Sequence, residues 1–355
     1  MTIVSMHATR QNDVERETLI GMLQPLQPFL DTPDLFEIVI NRPGEVWTEN
    51  ADGWQRHDVP MLDFGYLSGL TRVIATFTQQ MISETYPVLS AVLPGDERVQ
   101  VLIPPAVTKG TVSLTIRKPS QVMFTLEELR DQGLFDQVRL VGSGFGQVGR
   151  DASDLDSVNR VLVEALLGRD YVSFLRLAVK SRLNVLISGG TGSGKTTLSK
   201  ALIAEIGMDE RILTIEDTLE LTIQQKNHVR LFYSKGAQGQ AAVSAQELLE
   251  ATMRMRPDRI LLQEIRDGTA FDYIQNVSAG HPGTITTIHA NSAAQAFQRL
   301  RLLVKQSESG RGLEGPEVLS LLRMLINVVI QTKRVGGKFQ ATEIYFDPWA
   351  QAGEA

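Results

Sequence analysis

Gly189–Thr196 reads GGTGSGKT. It satisfies G-x-x-x-x-G-K-[ST], a pattern that chance gives in about one chain of this length in a hundred. Asn184–Ser188 (NVLIS), just before it, is a short apolar run suited to a buried strand. From Lys195 to Ile206 the apolar residues Leu198, Ala201, Leu202 and Ile206 recur on one face of a helix. Strand, glycine-rich turn and helix together make a phosphate cradle. Glycines let the backbone curl until several N–H groups point at one anion, and the helix N-terminus adds a favourable dipole. Gly189, Gly190, Thr191, Gly192, Ser193 and Gly194 are expected to line the cradle, with Thr197 in the first helical turn. Lys195 is expected to bridge the β- and γ-phosphates and Thr196 to hold Mg2+, so the ligands this motif implies are ATP and Mg2+.

The pattern on both sides of the loop is an alternation of helices and strands. Helix Tyr171–Val179 and strand Asn184–Ser188 lead in, and helix Lys195–Ile206 and strand Arg211–Ile215 follow. Helix Ser244–Met253 opens on the capping box Ser244-Ala245-Gln246-Glu247, and strands Arg259–Gln263 and Thr284–His289 come after it. Such alternation implies a mostly parallel sheet covered on both faces. The N-terminal part reads differently. Leu19, Met22, Leu23, Leu26, Phe29 and Leu30 recur at helical spacing, with Pro25 and Pro28 placed to kink or shorten the helix. Leu35–Asn41 and Glu45–Glu49 read as strands around the turn Arg42-Pro43-Gly44, and Leu67, Leu70, Ile74 and Phe77 mark a second helix. Val99–Ile103 and Thr111–Arg117 are further strands. The expected organisation is an α+β domain over 1–120, a linker over 121–160 and an α/β domain over 161–355. The linker holds a short helix at Thr125–Gln132 and the glycine- and aspartate-rich Gly142–Ser157.

Composition excludes several alternatives. The chain of 355 residues has no cysteine, so disulfides, zinc ribbons and iron–sulfur clusters are ruled out. No apolar stretch reaches 18 residues and the N-terminus has no signal-like leader, which predicts a cytoplasmic protein. The net charge of -6 opposes a general nucleic-acid coat, which would rely on clustered Lys and Arg, so no stable sequence-specific nucleic-acid binding is expected.

Hydrolysis of a triphosphate needs an activated water and therefore a nearby carboxylate. Glu264 directly follows the apolar RILLQ strand, at the strand end where parallel sheets bind ligands. It is the expected base. Gln263 stands just before it, and the metal-holding Asp of such a strand is missing. Glu216, with Asp217 beside it and Glu220 close behind, supplies acids at a neighbouring strand end, so Thr196, Glu216 and Glu264 are the expected metal ligands, the carboxylates acting through water. His281 and His289 flank the β-branched run of AGHPGTITTIHANS. A strand between them, rising about 3.3 Å per residue, would carry His289 far from the loop of His281, so a shared metal site is not expected. His289, at that strand end, is the expected γ-phosphate sensor, and His281-Pro282-Gly283 a shaped lead-in loop.

GGTGSGKT, ILTIEDTLEL, RPDRILLQEIRD and GHPGTITTIHANS follow one another in the order of the Walker A, Asp box, Walker B and His box of the secretion traffic ATPases. The chain closely resembles that superfamily. EIVINRPGEVW, PVLSAVLPGDERVQVLIPP and SLTIRKPS resemble the N-terminal domain of its type IV secretion branch. The type II branch usually carries a four-cysteine zinc module, which this chain cannot have. The resemblance implies a RecA-like P-loop ATPase domain behind a smaller N-terminal α+β domain, and a homo-hexameric motor that energises type IV secretion. Its partners would be inner-membrane secretion-system ATPases and platform proteins, its location the cytoplasm with peripheral inner-membrane association. The alternatives are a type IV or Tad-type pilus assembly ATPase and a nucleotide-gated docking scaffold with slow turnover. By the same resemblance Arg98 (in GDERVQV) and Arg117 (in TIRKP) would close over the phosphates. Arg254, Arg256 and Arg266 could line the subunit interface.

Overall fold

Pro25 and Pro28 break the first helical region into three pieces: helix α1 (Ile3–Leu23), a 3-10 turn at Gln24–Leu26, and helix α2 (Gln27–Leu30). Each proline falls in the first two positions of the piece it opens, where its missing N–H costs nothing. Residues 3–50, 52–118, 123–142, 155–233 and 243–352 are described by the computed structural model, and they fall into two compact units, the first two ranges in one and the last three in the other.

The first unit continues with strands β1 (Glu37–Ile40), β2 (Glu45–Asn50) and β3 (Gly53–Asp58), helix α3 (Phe64–Phe77), and strands β4 (Val88–Val92), β5 (Arg98–Leu102) and β6 (Ser113–Arg117). The six strands form one antiparallel sheet in the order β3-β2-β1-β6-β5-β4. Residues alternate between the two faces, so Ile38, Ile40, Val99, Val101, Leu114 and Ile116 pack in one core with Leu19 and Leu23 of α1 and Leu67, Leu70 and Ile74 of α3. Strand β3 (GWQRHD) has no apolar alternation to announce it, and it pairs with β2 as a largely exposed edge.

The second unit begins inside the stretch expected to be a linker. Residues 123–142 carry helix α4 (Leu126–Asp131) and strand β7 (Arg139–Val141). Leu126, Leu129, Leu134 and Phe135 lie in the unit's core, and β7 pairs with a strand from the far end of the chain. Within Gly142–Ser157, residues 143–154 lie outside the described residues.

Helices α5 (Ser157–Leu167) and α6 (Tyr171–Lys180), strand β8 (Val185–Gly189), helix α7 (Lys195–Ala204), and strands β9 (Ile212–Glu216) and β10 (His228–Phe232) come next. Helix α8 (Ala245–Thr252) follows, opened by the expected Ser244–Glu247 capping box. Strand β11 (Arg259–Leu262), helix α9 (Thr269–Ser278), strand β12 (Ile285–Ile288), helices α10 (Ala293–Val304) and α11 (Gly315–Leu325), strands β13 (Val328–Val335) and β14 (Lys338–Phe346), and helix α12 (Pro348–Ala352) complete the unit. Strands β10-β9-β11 form one parallel ladder, and β12-β8-β13-β14-β7 form a second in which β13 and β14 pair antiparallel. A parallel bridge between Glu264 and Thr287 joins the two ladders. It is reinforced by Ile265 N donating to Thr287 O at 2.9 Å and Thr287 Oγ1 donating to Gln263 O at 3.0 Å.

Strands β8, β9, β11 and β12 at the centre are buried throughout, as expected of parallel strands covered on both faces. Val185 and Ile187 face a core shared with α4–α7, while Leu186 between them faces α8–α11. This is the covered α/β architecture the alternation predicts. Among the described residues no helix is long and apolar enough to cross a membrane.

Candidate functional site: a phosphate loop with a carboxylate and a histidine at neighbouring strand ends

The phosphate loop leaves the end of β8 and enters α7. Gly192 and Gly194 take positive φ of 66° and 86°, which L side chains rarely adopt, so the turn depends on glycine there. Gly189 is constrained by space instead, since a Cβ would lie 2.3 Å from Ser193 Oγ and 2.7 Å from the Thr332 carbonyl oxygen. Around Gly190 nothing comes within 4 Å of such an atom. Ser193 Oγ donates to Gly190 O at 2.9 Å and lies 3.0 Å from Thr332 Oγ1, which pins the loop to β13. The first N–H groups of α7 have no partner within the helix, so loop and helix start together present donors suited to an anion.

Lys195 is buried, and its Nζ donates to Gly189 O at 2.9 Å and Gly190 O at 2.7 Å. Thr191 and Gly190 are exposed, and Thr196 and Thr197 are half-buried in the first turn of α7.

His289 directly follows β12. Its Nδ1 lies 3.5 Å from Lys195 Nζ and its Nε2 lies 3.2 Å from Glu264 Oε1. The ring therefore stands between a proton donor and an acceptor, and the neutral Nε2–H tautomer satisfies both. Burial, and next the Lys195 charge, hold its pKa below the ordinary 6.5, outweighing the opposite pull of Glu264. Glu264 Oε2 accepts from Arg266 Nη2 at 2.8 Å, and Arg266 Nη1 reaches Asp217 Oδ2 at 2.6 Å. A chain of contacts thus runs from the P-loop lysine through His289, Glu264 and Arg266 to the acidic turn after β9. Arg266, a candidate for the subunit interface, is engaged within its own unit here.

Glu216 is fully buried, and both its oxygens are engaged. Oε1 accepts from Thr214 Oγ1 at 2.8 Å and Arg230 Nε at 3.3 Å, and Oε2 accepts from the N–H groups of Glu220 and Leu221 at 2.9 and 2.8 Å. Four donors on a buried carboxylate make it a clasp for the turn 217–221. Gln263, read as an oddity of the strand, has a similar use. Its Oε1 accepts from Asp217 N at 3.1 Å and its Nε2 donates to the Glu220 carboxylate. Sequence reading marks the position, but these bonds cross 46 and 43 residues and leave no local signal.

Arg98 and Arg117 belong to the first unit. They lie directly opposite each other on β5 and β6, alternating with the core residues Val99 and Ile116 and so facing away from α1 and α3. Arg117 pairs with Glu37 at 2.9 Å. His281 lies in the loop before β12. Gly283 in that loop has φ +87°, and a Cβ there would sit 2.8 Å from Arg259 Nη1. That close approach is what shapes His281-Pro282-Gly283.

Comparison with known proteins identifies the family. The family model "Type II/IV secretion system protein" matches residues 164–335, which include the phosphate loop, Glu216, Glu264 and His289. The type IV secretion system protein VirB11 of Bartonella henselae is 53% identical over 94% of this chain and 94% of its own. The crystal structure of the VirB11 ATPase from the Brucella suis type IV secretion system, in complex with sulphate, is 41% identical, covers 94% of this chain and 99% of its own, and superposes with a TM-score of 0.53. The pilus retraction motor PilT with bound ADP has the same TM-score at 14% identity, covering 93% and 85%, and shares the fold. The chain belongs to the VirB11 family of type IV secretion system ATPases.

Proposed function

We propose that the chain is the ATP-hydrolysing motor of a type IV secretion machine, which uses the phosphate loop and the Lys195–His289–Glu264 contacts as its catalytic centre. The observation that carries this reading is the contact chain itself. It links the lysine that would hold the β- and γ-phosphates to a carboxylate at the next strand end, through one neutral imidazole. Glu264 accepts the proton of the attacking water, and His289 responds to the γ-phosphate and passes its presence to Glu264. Gly190, Thr191, Gly192, Ser193 and Gly194 supply backbone N–H groups to the phosphates, and Thr197 lies in the helical turn behind them.

Mg2+ fits this donor set through the half-buried Thr196 hydroxyl and, across water, through Glu264. It would neutralise charge on the transferring phosphoryl group. Glu216 serves both acids indirectly, by holding the turn that carries Asp217 and so the Arg266 bridge to Glu264. Family resemblance supports phosphate contacts by Arg98 and Arg117, homo-hexamer assembly, partners among inner-membrane ATPases and platform proteins, and peripheral membrane association.

The test is phosphate release by the purified chain with Mg2+ and ATP. Lys195→Ala should abolish turnover and leave the circular dichroism spectrum unchanged. Turnover at the wild-type rate in that variant would rule the site out. Arg117→Ala should weaken ATP binding, and light scattering with and without ATP should reveal the hexamer.

A further inference from the structure

The phosphate loop has two flanks. On one lies β12, ending at His289 and next to Glu264; on the other lies β13. Strand β13 runs beside β8 until Thr332 stands opposite Gly189, then continues beyond the loop, turns at Gly336 and Gly337 (φ 56° and 81°) and returns as β14. The hairpin register sets Thr332 opposite Ala341 and Arg334 opposite Phe339. Because side chains alternate along a strand, Thr332, Arg334, Phe339 and Ala341 share one face. That face looks onto the loop: Thr332 Oγ1 lies 3.0 Å from Ser193 Oγ, and a Cβ on Gly194 would lie 2.9 Å from Phe339 Cγ. Phe339 is nonetheless 39% exposed, and Arg334 beside it is exposed.

A nucleoside triphosphate has a direction in such a loop. Its γ end lies where Lys195 meets His289 and Glu264, and the α-phosphate lies further along the cradle. The nucleoside then leaves on the opposite flank, where the hairpin stands. We propose that Phe339, with the guanidinium plane of Arg334 across from it, is the platform on which the purine base of the nucleotide stacks. A flat aromatic ring and a planar guanidinium are the two side-chain surfaces best suited to a base, and both are presented here on a hairpin anchored to the loop through Thr332.

This inference rests on the phosphate-loop reading, and a base-free ligand separates the two. Titration calorimetry would compare ATP with inorganic tripolyphosphate, each with Mg2+, on wild type, Phe339→Ala and Phe339→Trp. Phe339→Ala should bind ATP roughly tenfold more weakly while its tripolyphosphate affinity stays at the wild-type value, and Phe339→Trp should keep wild-type affinity for both. Equal weakening toward both ligands would mean that the ring only props Gly194, and unchanged ATP affinity would mean that the base lies elsewhere; either overturns the platform. A wild-type chain that binds neither ligand overturns the phosphate cradle itself and the platform with it.

Discussion

Strands β11 and β12 carry a charged cluster at each end, and the two clusters are built to opposite specifications. At their starts, Arg259 is fully buried, with its fork on Glu210 at 2.8 and 2.9 Å and further bonds to Val179 O at 2.9 Å and Gly283 O at 3.2 Å. The guanidinium ties the start of β11 to the loop entering β12. At the other end, the Glu264–Thr287 bridge joins the strands directly, and the imidazole beside it stays within reach of solvent: the His289 side chain is 47% exposed. Similar residue types therefore do different work. A cation whose donors face only protein acceptors holds strands together, whereas an imidazole between a lysine and a glutamate, open on one side, can respond to an anion.

Five substitutions test this contrast in four experiments. The largest effect is expected from Glu264→Gln, which keeps the shape but removes the proton acceptor. Turnover should fall by about 10²–10⁴-fold, with ATP still bound and the melting temperature near wild type. Phosphate release and thermal melts would check both halves, and a variant that loses stability instead would move Glu264 into the class of the buried cluster.

Arg259→Met is expected to do the reverse. It leaves the part-buried Glu210 with Arg182 as its ion-pair partner at 3.0 Å and removes the bonds to Val179 O and Gly283 O, which should cost about 1–3 kcal/mol of unfolding free energy. Adding Glu210→Leu should recover part of that loss, as urea titrations would show. The pair also sets an acid dependence. Burial alone would raise the Glu210 pKa, but Arg259 and Arg182 outweigh it and hold the carboxyl below its ordinary 4.5. The unfolded chain then takes up the proton first, so this contribution is present above pH 4.5 and is lost as pH falls through the lowered value. The double variant should lack that part of the acid loss.

His289→Gln tests the open end by pH. With its pKa held below 6.5, the wild-type imidazole is neutral at pH 7 and gains a proton only in more acidic solution. An acidic limb in the rate profile lying below 6.5 should disappear in the variant, while one that persists would belong to another group. The smallest effect is expected on the surface. Arg139 is 72% exposed where it meets Glu343, and Glu343 also accepts from Ala293 N at 2.9 Å. Arg139→Ala should therefore cost under about 1 kcal/mol in the same urea titrations.

The sequence was most informative where structure is local. Strand–loop–helix at Val185–Ala204, the Ser244 capping box and the strand ending before His289 all appear where periodicity and spacing place them. It was least informative where an element is stabilised only by distant partners. Strand β10 (HVRLF) lacks alternation strong enough to read, and β9 makes it a strand. Strand β7 lies in a stretch that composition marks as connector, and pairing with β14, some 200 residues later, draws it into the sheet.

By itself, then, the sequence determined the phosphate loop, its strand and helix, and the acid and histidine at neighbouring strand ends, because backbone curvature and side-chain alternation are set by adjacent residues. Only the tertiary structure decided that the buried Glu216 is spent on four donors, that Gln263 ties its strand to the acidic turn, that Arg259 ties the start of β11 to the loop entering β12, and that Phe339 faces Gly194. The Glu216 donors lie within 14 residues of it, but which of them it takes follows from the turn the fold imposes; the other three depend on which groups burial brings together across tens to more than a hundred residues, and a buried polar atom takes whichever partner the packing supplies.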